Sequence, residues 1–63
     1  MTKASGRRLR AASLNIVVAA DYVRIATIEV SRAPLDKDAW SRLVHFTSVL
    51  TNLAKEAEKE AAK

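Results

Sequence analysis

The sequence predicts an all-α fold, a two-helix antiparallel hairpin that dimerises into a four-helix bundle. Apolar residues recur at intervals of seven along the first half of the chain, which is the repeat of packed helices. Glycine and proline occur once each in 63 residues, so few positions interrupt a helix. A chain this short buries a small core, and without cysteine it has no disulfide, so we expect association between copies to stabilise it.

The chain is expected to form one domain behind a short arm. Residues 1–5 are polar and precede Gly6, so we expect a flexible basic N-terminal arm there. A single helical-hairpin domain then covers residues 6–63. Its predicted elements are a first helix over about residues 7–32, a turn over about 33–36 and a second helix over about 37–61.

The first helix is predicted from its heptads. The β-branched run 16–18 favours a strand, but a strand needs alternation by two, which this segment lacks. Large residues repeat every seven positions, and an alanine follows three positions after each. Together these positions form the line along which the first helix should contact the second, which we call the seam. Alanine at every second position of the seam allows the two helices to approach closely. The large residues are Leu9, Ile16, Val23 and Val30, and the alanines are Ala12, Ala19, Ala26 and Ala33.

The second helix is predicted from its start signal and its apolar stripe. Pro34 disfavours helix at the residue before it, so the first helix should end there. Asp36 is a good N-cap, and Asp38 in the first turn suits the helix dipole. The stripe that should pack on the first helix contains Ala39, Leu43, Phe46, Leu50, Leu53, Ala57 and Ala61.

A second apolar group lies on nearly the opposite side of the first helix. A helix that is apolar on two faces is buried on two faces, and the hairpin covers only one of them. We expect a second copy to cover the other face, with its edge available to a different protein. The predicted protein-interface residues are Leu14, Val18, Tyr22, Ile25 and Ile28, with Val17 on the same side.

The excess positive charge lies at the N-terminus. Residues 1–10 carry a charge of +4, whereas residues 11–63 contain seven basic and seven acidic residues. A dimer presents this arm twice, which suits several phosphate contacts. The residues that would contact a nucleic acid are Lys3, Arg7, Arg8 and Arg10.

Residues suited to catalysis are scarce. His45 is the one histidine, and no acidic residue lies within a turn of it to orient the imidazole. We therefore expect no enzyme activity, no cofactor and no metal site. Asp21, Arg24 and Glu29 interrupt the most apolar segment, so no membrane association is expected. The lack of cysteine favours a cytoplasmic location.

The predicted layout is similar to that of the plasmid RNA-binding Rop proteins, as an analogy of fold alone. That family binds RNA with polar and aromatic residues along the exposed face of the first helix. The corresponding positions here are the apolar Leu14, Val18 and Ile25, which indicates contact with protein.

These features predict a small non-enzymatic regulatory or accessory protein that acts by protein–protein interaction. An Ala- and Arg-rich composition is typical of GC-rich bacterial and phage genomes. A phage- or plasmid-type modulator or inhibitor of a larger bacterial protein fits this composition and size. The alternative is a nucleic-acid-binding dimer that uses the basic N-terminal arm.

Overall fold

The protein is a hairpin of two helices that pack against each other, which confirms the predicted all-α class. The computed structural model describes residues 3–62, with side chains from Gly6 onward. Helix α1 spans Lys3–Arg32 and helix α2 spans Lys37–Ala61. Together they form a rod-like body of 48 × 14 × 11 Å.

Two ion pairs, one at each end of the hairpin, show that the helices run antiparallel. Near the turn, the Arg42 Nε donates to a carboxylate oxygen of Glu29 at 3.1 Å. At the far end, the Arg8 guanidinium lies 3.6 Å from the Glu60 carboxylate. Both pairs join α1 to α2, so they show which residues of the two helices lie opposite each other.

The structure differs from the expected arm at the start of the chain. Helix α1 begins at Lys3, so three residues that we assigned to the arm, 3–5, are helical. Gly6 lies within the helix with an ordinary negative φ. A glycine inside a helix costs about 1 kcal/mol relative to alanine, which weakens a helix without ending it. Met1 and Thr2 lie outside the described residues.

The contact between the helices is built on small side chains. The most buried residues are Ala39 (1% exposed), Ala26 (2%), Ala19 (5%) and Val30 (8%). Ala19 and Ala26 confirm the predicted alanine seam, whereas Ala33 lies in the exposed turn. Among the described residues no large side chain is fully buried. The core of one hairpin is therefore thin.

The stripe on α2 packs against α1 as predicted for most of its length. Leu43, Phe46, Leu50 and Leu53 are half-buried. The stripe differs at its end, where Ala61 is exposed and Glu60 takes the inward position opposite Arg8. At the end of the hairpin away from the turn, the Arg8–Glu60 ion pair thus joins the two helices where an apolar contact of Ala61 was predicted.

The turn is held by a helix cap and by a tryptophan. The side chain of Asp36 accepts from the backbone N–H groups of Asp38 (2.9 Å) and Ala39 (3.4 Å), which confirms the predicted N-cap. The indole Nε1 of Trp40 donates to the carbonyl of Pro34 at 2.8 Å. The first turn of α2 is therefore tied to the residue that ends the preceding helix.

We expect Asp36→Ala to lower the free energy of unfolding by about 1 kcal/mol, because two N–H groups at the start of α2 lose their acceptor. Urea unfolding followed by circular dichroism, at one fixed protein concentration, measures this change. Asp36→Asn keeps a side-chain acceptor and serves as the control. Equal stability of the alanine and asparagine variants would show that the cap does not stabilise the hairpin.

Candidate protein interface

The predicted interface residues all lie on the side of α1 that α2 leaves uncovered. We call this side the outer face and define it by six large apolar residues, each between 43% and 65% exposed. A helix has 3.6 residues per turn, so the outer face lies about half a turn away from the alanine seam. The six residues are Leu14, Val17, Val18, Tyr22, Ile25 and Ile28.

The outer face is large for a chain of this size. Single exposed apolar residues are ordinary on protein surfaces, but here six large ones lie on one side of one helix. At their exposed fractions they present on the order of several hundred Å² of apolar surface around Asp21. A patch of that size commonly marks an interaction site.

Tyr22 stands at the edge of the outer face and is held in place by α2. Its ring stacks on Phe46 with the centroids 5.1 Å apart and the planes 14° from parallel. Phe46 in turn meets the ring of His45 edge-on at 5.2 Å. Half of Tyr22 remains exposed, so a partner would meet an aromatic ring that is already ordered.

An open groove of about 370 Å³ runs beside Tyr22, between the two helices. Its walls are mostly apolar and come from both helices. The predicted interface residues include none from α2, although the spacing of His45 and Val49 puts them on one flank of α2. The groove is lined by Asn15, Val18, Ala19, Tyr22, His45, Phe46, Val49 and Leu53.

The three arginines of the predicted basic cluster are all exposed. Arg8 also pairs with Glu60 of α2, although the Arg8 side chain remains 68% exposed. The side chain of Lys3 lies outside the described residues. All three arginines near the start of α1 are thus accessible to solvent and to anions, two of them, Arg7 and Arg10, without the ion pair that Arg8 makes.

Metal ligands do not cluster in the described part of the chain. No group of three or more His, Cys, Asp or Glu side chains there could hold a metal ion.

The segment Gly6–Arg32 of α1 is long and apolar enough to cross a membrane, judged by its 27 residues and by a mean hydropathy of 1.4 over an 18-residue window within it. The absence of membrane association therefore stays a prediction. One such helix near the N-terminus is weak evidence, since core helices of soluble proteins and signal sequences pass the same test.

Comparisons of the chain with protein-family models, with curated proteins and with solved structures found no match. The class of the protein is therefore defined by its own features, an all-α helical hairpin with an exposed apolar face.

Proposed function

We propose that the protein is a small non-enzymatic regulatory or accessory protein that acts by protein–protein contact through the outer face. The observation that supports this most directly is the exposure of six large apolar side chains on one side of α1. Exposed apolar area has to be covered if the chain is to remain dispersed in water. A modulator or inhibitor of a larger bacterial protein, of the phage or plasmid type, fits this reading.

The proposal includes a homodimer with the two α1 helices in contact, as in the predicted four-helix bundle. The thin core supports it, because a hairpin with alanine as its most buried residue gains little from its own packing. A second copy adds apolar burial without adding chain length.

The test is affinity capture from a nuclease-treated bacterial lysate. We expect the wild-type protein to retain a stoichiometric protein partner at moderate salt, and Leu14→Asp to lose it, since a carboxylate does not pack on an apolar surface. Val44→Asp is the matched control. Val44 is 64% exposed and Leu14 is 65% exposed, but Val44 lies on α2, away from the outer face. Equal capture by the two variants would contradict the proposal.

Nucleic-acid binding is the second candidate function, favoured by exposed Arg7 and Arg10 and by the net charge of +4. In the same capture, nucleic acid that is recovered without nuclease and lost at moderate salt would support it. An Arg7→Ala/Arg10→Ala variant should then lose that recovery while the Arg8–Glu60 pair stays intact. Binding to lipid vesicles in place of protein would contradict both candidates.

A further inference from the structure

The outer face has a sequence pattern that is nearly the same when read in either direction from Asp21. Leu14 and Ile28 stand seven residues before and after Asp21, and Val17 and Ile25 stand four before and after it. All four flanking side chains are large, apolar and between 43% and 65% exposed. Asp21 itself is exposed at the middle of the face.

This pattern is what a twofold contact between antiparallel helices requires. In such a contact residue i of one copy meets residue j of the other, and j meets i. Around Asp21 such a contact brings Leu14 opposite Ile28 and Val17 opposite Ile25, so that these four apolar residues meet apolar residues of the second copy. A different protein would impose no such symmetry on this face.

We propose that the occupant of the outer face is a second copy of this chain, with the two α1 helices antiparallel about a twofold axis at Asp21. This proposal rests on the proposed function, because it identifies the protein that covers the same outer face as a second copy of the chain. Leu14 of each copy then packs on Ile28 of the other, and Val17 of each copy packs on Ile25 of the other.

The charges near the axis complement one another in this arrangement. Arg24, three residues after Asp21, comes opposite Val18 of the second copy, three residues before its Asp21. The aliphatic stem of an arginine covers an apolar neighbour while its guanidinium reaches a nearby carboxylate. Within one chain Arg24 lies 3.7 Å from Asp21, and both side chains are largely exposed. Each Arg24 can therefore pair with Asp21 of the second copy, which separates the two carboxylates at the axis.

The area of the contact lies at the lower limit for a specific interface, because two patches of several hundred Å² amount together to roughly 1,000 Å². One feature opposes this arrangement, because Arg10 comes opposite Arg32 of the second copy. Both arginines are exposed near the ends of the contact, where water screens their repulsion.

The resulting bundle is flattened. The outer face lies opposite α2, so the two α1 helices occupy the middle and each α2 lies on the outside. The groove beside Tyr22 is then left open on each copy, so the edge of the outer face remains available to the different protein of the proposed function.

Cross-linking with introduced cysteines tests the register, since the chain has no cysteine of its own. Leu14→Cys and Ile28→Cys, purified separately, mixed and treated with a short bismaleimide, should give a cross-linked dimer. Either variant alone should give far less, because equal positions stand about 21 Å apart along antiparallel helices at a rise of 1.5 Å per residue. Val44→Cys, exposed on α2, is the control for random collision.

Each outcome bears on the inference. A cross-link within each variant alone would indicate parallel helices and overturn it. A monomer at every concentration in sedimentation would also overturn it, together with the homodimer in the proposed function, yet loss of lysate capture by Leu14→Asp would leave the regulatory contact with another protein standing. The expected cross-link without any captured protein would support the dimer and contradict the regulatory function.

Charge reversal tests the axis itself. Asp21→Arg places four arginines around the axis and should raise the dissociation constant of the dimer about tenfold. The swap Asp21→Arg/Arg24→Asp restores opposite charges and should recover the wild-type constant within a small factor. Equal dissociation constants for Asp21→Arg and the wild type would show that the twofold axis does not pass near Asp21.

Discussion

Ile25→Asp is expected to abolish self-association of the purified protein at concentrations where the wild type is dimeric. Ile25 is 48% exposed on the outer face, four residues after Asp21. A new carboxylate there would be desolvated on association, and a twofold contact contains the change twice. We expect the dissociation constant to rise on the order of 100-fold, which sedimentation equilibrium measures directly.

Val44→Asp provides the control for this prediction. It introduces the same carboxylate at an exposed β-branched residue, but on α2 and away from the outer face. We expect its dissociation constant to match that of the wild type. If the dimer persists in Ile25→Asp and dissociates in Val44→Asp, the contact between copies lies on the exposed side of α2 and not on the outer face of α1.

Ala26→Leu is expected to lower the free energy of unfolding by about 1–3 kcal/mol, because it forces extra carbon atoms into the buried contact between the helices. Ala26 is 2% exposed and faces α2. A hairpin with so thin a core has little stability to lose, so a large part of the population should unfold at ordinary temperature. Urea unfolding monitored by circular dichroism measures the change.

Ala20→Leu is the matched variant, since it makes the same substitution at an exposed position of the same helix. Leucine and alanine differ little in helix propensity, so we expect a change of under about 0.5 kcal/mol. If both variants unfold alike, the alanine seam is not where the helices approach most closely.

The features of this fold that depend on local chemistry could be predicted from the sequence. Pro34 and Asp36 mark the turn and the cap because their effects act on residues within one helical turn. Ala19 and Ala26 could be placed in the seam because their heptad spacing selects one side of a helix. The outer face followed from the same spacing.

Contacts between the helices could not be predicted in the same way. The stacking of Tyr22 on Phe46 and the pair of Arg8 with Glu60 join residues far apart in the chain. Both depend on how far one helix slides along the other, and that offset is decided by packing along the full contact. The Trp40–Pro34 hydrogen bond likewise depends on the path of the turn.

The absence of a fully buried large side chain among the described residues has a consequence for the behaviour of the protein in a cell. When folding gains much of its stability from association, the folded fraction rises with the total amount of chain. At low expression most copies would be unfolded and open to proteolysis, while above a threshold they would persist together. The amount of folded dimer would then rise at most as the square of the amount of chain, so a modest change in synthesis rate would produce a larger change in folded protein.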